Sequence, residues 1–332
     1  MIVLFIIILI ALLFEFSNGF HDAANVVATP IATKSLSPYQ ALAIAAIFNF
    51  IGAFMSTAVA TTISKGLVDA NVVTHLVLVA ALLSAIGWNL LTWAFGIPSS
   101  SSHALIGSLV GAVIAVSNLS AVHLSTLVEK VVIPMLLSPI MAFFLAMIFM
   151  VFMIRILHRT RKPRKRNNYI REMQVFSTSL LALSHGSNDA QKTMSIITLA
   201  LFSFSVVPSV SHIPVWVIAL CATTMALGTL TGGMRIIKTL STRVAKLGPA
   251  NGFAAEMSSG LLILAASHVG LPVSTTQAAS GSIMGSGYTT NNGKINWSVV
   301  KKMVVAWCIT LPCCIMFSAG VYYILFFIFG AF

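Results

Sequence analysis

Ten stretches of mostly apolar residues make up nearly all of this sequence, at 1–33, 38–62, 71–96, 98–118, 127–156, 174–203, 213–234, 249–270, 271–287 and 299–330. Most reach the roughly 20 residues that a helix needs to cross the hydrocarbon core of a bilayer. Of the 332 residues, 58% are hydrophobic and only 8% are charged. A soluble domain carries roughly 25% charged residues, so water could not solvate the surface of such a helix set. The expected fold class is an all-α polytopic membrane protein with about ten membrane segments.

Two of the stretches stay ambiguous. Segments 98–118 and 271–287 are short and rich in Ser, Thr and Gly, and they abut their predecessors across Gly96-Ile97-Pro98 and Gly270-Leu271-Pro272. They are crossings or re-entrant hairpins, and both readings stay open. Residues 1–17 lack a basic leading region and are interrupted by Glu15, so a retained first membrane helix is expected rather than a cleaved signal.

The net charge of +12 raises the question of nucleic acid. Its distribution answers it. Eight of the 19 Lys and Arg lie between Arg155 and Arg171, separating two apolar halves. That pattern reads as a cytoplasmic loop obeying the positive-inside rule, with lipid and not nucleic acid as the partner. Arg235, Lys238, Arg243 and Lys246 form a second basic cluster expected on the same side. The chain then divides into a membrane repeat 1–154, a basic cytoplasmic linker 155–173 and a membrane repeat 174–332, with both termini outside.

The two halves repeat each other. Gly19-Phe20-His21-Asp22-Ala23-Ala24-Asn25 matches Gly186-Ser187-Asn188-Asp189-Ala190-Gln191-Lys192. Pro98-Ser99-Ser100-Ser101-Ser102-His103 matches Pro272-Val273-Ser274-Thr275-Thr276-Gln277, and Gly107 and Gly111 continue the match to Gly281 and Gly285. Both pairs occur in the same order at similar offsets. With five crossings per half, the halves are inverted. Inverted repeats with broken helices, holding substrate near the midplane, recur in secondary transporters.

Ionisable side chains inside a membrane segment are costly and are functional candidates by default. Asp22, Asp189, Glu15 and Glu256 fall in or beside predicted spans. Asn18, Asp22, Asn25, Thr29 and Thr33 share one helical stripe. In the second half Ser184, Asn188, Gln191, Ser195 and Thr198 form the matching stripe, and His185, Asp189 and Lys192 form another beside it. Neither can face lipid. Hydrogen bonding between helices explains isolated Ser and Thr well enough. It does not explain two carboxylates at matched repeat positions, so Asp22 and Asp189 are expected to be functional.

The Ser/Thr runs supply the other half of a site. Pro98 and Pro272 suit the first turn of a helix, where unpaired N–H groups and the positive dipole end favour anions. Ser100, Ser101, Ser102, Ser274, Thr275 and Thr276 add hydroxyls, and no Arg lies deep in a predicted span. His21, His103 and His185 sit within the motifs as hydrogen-bond partners or proton carriers. Cys221, Cys308, Cys313 and Cys314 lie in apolar segments without disulfide or zinc spacing. Neither a nucleophile–base pair nor a metal motif stands out, so an enzyme is not expected. An anion channel remains an alternative to a transporter.

The duplicated Gly-x-x-Asp signatures, with Gly270-Leu271-Pro272-Val273-Ser274-Thr275-Thr276, resemble those of the inorganic phosphate transporter (Pit) family, bacterial type, over nearly the whole chain. The resemblance implies phosphate uptake across the bacterial inner membrane by H⁺ or Na⁺ symport. It implies no cofactor, a divalent metal able to travel with the phosphate, and a homodimer. It makes Asp22 and Asp189 the cation-coupling residues. Asn25, Ser100, Ser101, Ser102, Asn188, Ser274, Thr275, Thr276 and Gln277 would bind substrate, with Asn18, His21, His103, His185 and Lys192 as auxiliaries. Sulfate is the alternative substrate. Two departures stand out: His21 replaces the commoner Asn, and Gln191-Lys192 stands where the first half has Ala24-Asn25.

Overall fold

The computed structural model describes residues 1–158, 163–290 and 295–330, with side chains from 158 to 167 left aside. Among these residues the chain is all-helical, apart from one isolated bridge between Val68 and Val122. In the first half, α1 (Ile2–Ala32), α2 (Pro38–Gly52), α3 (Ala58–Gly66), α4 (His75–Phe95) and α5 (Ser101–Val116) precede α6 (Leu124–Leu127) and α7 (Ile133–His158). The second half has α8 (Pro163–Ser203), α9 (Val215–Thr231), α10 (Met234–Lys238), α11 (Pro249–His268), α12 (Thr275–Thr290) and α13 (Trp297–Phe329). The stretch 155–173, expected as a linker, is mostly the ends of α7 and α8, and Arg159, Arg161 and Lys162 lie outside the described residues.

Burial is inverted relative to a water-soluble protein. Phe327 is 90% exposed and Met316 75%, whereas Lys192, Asp189 and Glu256 are all at 0%. Apolar side chains facing outward and charges facing inward suit a chain whose solvent is lipid. Among the described residues, four helical stretches are long and apolar enough to cross a bilayer, Ile2–Ala32, His75–Phe95, Leu124–Leu157 and Trp297–Phe329. A fifth comes from Val215–Thr231 with Met234–Arg243, bent by 60°. Helix length therefore does not by itself yield ten spans.

The ambiguous segments are the second arms of two hairpins. α4 packs on α5 and α11 on α12. The outer ends of the first hairpin are tied by Asp69 N–H to Ala121 O (3.0 Å) and His123 N–H to Leu67 O (3.0 Å). The ends of the second are tied by the Asn251 amide to Ser286 O and Thr290 Oγ1, both at 2.8 Å. Each turn carries a glycine in the left-handed region, Gly96 (φ +63°) or Gly270 (φ +70°). The next helix starts only after an extended stretch. Pro98 and Pro272 lie in that stretch, not in the first helical turn as expected. The caps are Ser100, accepting from His103 N–H, and Ser274, accepting from Gln277 N–H, both at 3.3 Å.

The halves pack in an exchanged pattern. Gly107 and Gly111 of α5 press onto the backbone of α13 at Leu311 and Ile315, and Gly281 and Gly285 of α12 press onto α7 at Pro139 and Phe143. Likewise Gly19 of α1 meets α9, and Gly186 of α8 meets α2. The two hairpin tips touch: Ser102 Oγ donates to Val273 O at 3.2 Å. The first tip is also clamped by Trp307 Nε1–H, which donates to Pro98 O at 2.9 Å. A Trp307→Phe substitution is expected to lower stability by about 1 kcal/mol, read as a fall in the thermal unfolding midpoint of the detergent-solubilised protein.

Candidate functional site

α1 and α8 run side by side through the core, and their polar stripes face protein over their whole length. Asn18, Asp22, Asn25, Thr29 and Thr33 are all buried, as are Ser184, His185, Asn188, Asp189 and Lys192. The hairpin tips bring the hydroxyl-rich starts of α5 and α12 against this seam.

Asp22 is one hub. Its Oδ2 accepts from Ser101 Oγ at 2.5 Å, and its Oδ1 accepts from Thr276 Oγ1 at 3.2 Å and from His21 Nδ1 at 2.8 Å. His21 Nε2 meets Thr92 Oγ1 at 3.1 Å, and Ser99 Oγ donates to Thr92 at 2.8 Å. Asp189 is the other hub. Its Oδ1 accepts from Lys192 Nζ at 2.6 Å and its Oδ2 accepts from Thr275 Oγ1 at 3.1 Å. Asn25 joins the two: its amide reaches Thr276 Oγ1 at 2.9 Å and Thr275 Oγ1 at 3.4 Å. The matched threonine and serine, Thr275 and Ser101, thus each serve the carboxylate of their own half, and Thr276 crosses to the other.

Ligand atoms of Asp22, Asp189 and His185 lie within 4.8 Å of one another. His185 donates from Nδ1 to Asn49 Oδ1 at 3.1 Å, which leaves Nε2 to face Asp189 Oδ2 at 3.3 Å. A carboxylate pair with an imidazole oriented from behind by an amide is a donor set suited to a cation. Opposite it, the first-turn N–H groups of Ser101, Ser102, Thr275 and Thr276 have no intrahelical acceptor, and the hydroxyls add to them. One buried cluster therefore presents cation ligands and anion donors together.

Not every expected site residue joins in. Ser100 and Ser274 act as helix caps. Ser102 ties tip to tip. Asn188 turns from the carboxylates and donates to Ser267 Oγ at 3.0 Å and Leu271 O at 3.2 Å, holding the second hairpin. The stripe beside it, His185, Asp189 and Lys192, is the one facing the site. Gln277 lines an apolar groove with Pro139, Phe143 and Trp307. Among the described residues the His103 ring nitrogens have no hydrogen-bond partner, and Asn18 lies beside the Glu15 carboxylate.

One further cluster was not assigned from sequence. Glu256 of α11 accepts from Thr29 Oγ1 (2.6 Å), Gln174 Nε2 (2.9 Å), Ser177 Oγ (2.5 Å) and Thr178 Oγ1 (3.0 Å). Together with Glu15, which accepts from Thr193 Oγ1, it extends the polar seam beyond the two aspartates. Thr29, four residues from Asn25 on the same stripe, was the available signal.

The profile of the phosphate transporter family matches residues 18–170 and 157–318. A relative from Mycobacterium bovis named "Probable low-affinity inorganic phosphate transporter" is 46% identical over 98% of this chain and 78% of its own length. Relatives of the same name from Bacillus subtilis and Rhizobium meliloti are 42% and 43% identical, covering 98% and 96% of this chain and 98% and 95% of theirs. A solved structure, "The sodium-dependent phosphate transporter", superposes with a TM-score of 0.88 at 23% identity, over 98% of this chain and 99% of that one. At that identity the likeness is one of fold. These relatives are transporters and not enzymes, and phosphate is what their family moves. With its matched signatures, buried carboxylate pair and near full-length similarity, this multi-pass membrane chain belongs to the phosphate transporter family.

Proposed function

We propose that the protein takes up inorganic phosphate by symport with H⁺ or Na⁺, through alternating access, at the seam of α1, α8 and the two hairpin tips. One observation carries this reading: Asp22 and Asp189 use the same hydroxyls that an anion at these helix starts would use. Ser101 and Thr276 donate to Asp22 and Thr275 to Asp189. A cation at the carboxylates lowers their hold on those donors and the local negative charge together. The freed hydroxyls and N–H groups then suit phosphate. Each ligand thereby favours the other, which is coupling in the thermodynamic sense. A divalent metal carried with phosphate would meet Asp22, His185 and Asp189. The site is wholly buried, so transport needs it to open to each side in turn.

In the orientation we favour, α1, α2 with α3, α7, α8, α9 with α10, and α13 cross the plasma membrane. The two hairpins dip in from opposite sides and meet at the site. Three crossings per half invert the halves, put the basic segment near Arg155 and Arg171 in the cytoplasm, and leave both termini outside. Arg235, Lys238, Arg243, Lys301 and Lys302 then share the cytoplasmic side, in keeping with the positive-inside rule.

Inorganic phosphate near neutral pH carries one or two protons, and its P–OH can donate to a carboxylate, whereas fully ionised sulfate has no donor. Sulfate is therefore expected to compete at least about tenfold less well, the effect of roughly one hydrogen bond to a charged group. Removing the hydroxyl in Thr276→Ala should raise the KM for phosphate by about tenfold on the same scale. The deciding experiment is radiolabelled phosphate uptake into proteoliposomes under separately imposed Na⁺ and H⁺ gradients. Symport predicts accumulation above equilibrium under one of them; uptake that only follows the phosphate gradient means a channel, and equal competition by sulfate removes the phosphate assignment.

A further inference from the structure

Lys192 is among the largest fully buried side chains of the protein, and its ammonium sits 2.6 Å from Asp189 Oδ1. The matched position in the first half holds Asn25, a neutral amide bound to Thr275 and Thr276. The repeat therefore has two carboxylates in equivalent places but only one tethered cation.

Resting on the symport reading, we propose that Lys192 is a built-in coupling cation: its ammonium permanently occupies one of two cation positions, so that in symport with a monovalent cation the site takes one mobile ion and not two. Asp22 and Asp189 together carry two negative charges and Lys192 supplies one positive charge. A second mobile cation would lie within a few ångströms of the ammonium in surroundings closed to water, where repulsion between like charges is strong. The ion pair is itself held in place, since removing one partner leaves the other buried and uncompensated. Asp189 Oδ2, facing Thr275 and His185, and the Asp22 carboxylate remain for the single mobile cation. Because Lys192 cannot leave, it moves no charge to the far side with phosphate.

The substitution that restores repeat symmetry is Lys192→Asn. In proteoliposomes of the full-length protein, wild-type phosphate uptake is expected to be flat or hyperbolic in Na⁺, with a Hill slope no greater than one. Lys192→Asn should lose at least about fivefold of its rate in choline, regain it on adding Na⁺, and show a Hill slope raised by one. Lys192→Arg, which keeps a resident cation, should keep the wild-type slope. Should Lys192→Asn fold poorly, ²²Na⁺ binding to purified wild-type protein decides alone: at most one Na⁺ per chain that depends on Asp22 or Asp189. Two such ions per wild-type chain, a sigmoidal wild-type Na⁺ curve, or a folded Lys192→Asn protein with the wild-type Na⁺ response overturns the proposal. Failure of the wild type to concentrate phosphate under any gradient defeats the symport reading instead, and the ²²Na⁺ count still stands as the test of Lys192.

Discussion

Replacing Asp22 by Asn is expected to abolish concentrative phosphate uptake, lowering the initial rate by about a hundredfold or more, the scale of losing one partner in a buried charged network. Asp22 accepts from Ser101, Thr276 and His21. An Asn of the same shape turns one acceptor into a donor, which faces hydroxyl donors and carries no charge for a cation. The shape is kept, so the variant should elute from a sizing column as the wild type does. Asp189→Asn should lose transport as well, and it should also be less stable than Asp22→Asn. It leaves the Lys192 ammonium buried without its carboxylate, at a cost of about 3–5 kcal/mol. Initial rates in proteoliposomes and unfolding midpoints in detergent separate the two effects.

The second large effect is a folding effect. Gly186→Ala should destabilise the protein by about 3 kcal/mol or more, at the upper end of overpacking costs. The new methyl would collide with the backbone of α2 at Asn49, lying 2.6 Å from its Cα and nearer still to its carbonyl oxygen. Backbone on both sides leaves no flexible side chain to yield. The strain also falls where Asn49 orients His185, so uptake should drop more than the yield of folded protein. An unchanged midpoint for Gly186→Ala would mean that α2 and α8 do not cross this closely.

Much of this was legible in the residues because duplication and burial leave few options. Asp22 and Asp189 stand at matched places in apolar segments, and neither can face lipid, so their convergence follows from the repeat. The pairing of Ser101 and Thr275 with them follows from the second motif. What was not legible was geometric. α5 and α12 each have 16 residues, about 24 Å of helix, a length that leaves crossing and re-entry both open on sequence alone. Only the ties between Asp69 and Ala121, and between Asn251 and Ser286, reveal them as hairpin arms. On α8 two polar stripes compete on pattern alone. His185, Asp189 and Lys192 win because Asn188 is drawn to Leu271 of the hairpin. Glu256 draws its donors from α1 and α8, far away in sequence, and no local pattern records that.

On this reading phosphate and its cation bind together between the hairpin tips and the aspartate pair. Arsenate, a phosphate mimic with an anomalous X-ray signal, tests it in crystals of the protein grown with the coupling cation. An anomalous peak is expected with the arsenate oxygens within hydrogen-bonding reach of Ser101, Thr275 and Thr276. A peak elsewhere in the molecule, with those hydroxyls still donating to Asp22 and Asp189, rules out a shared site.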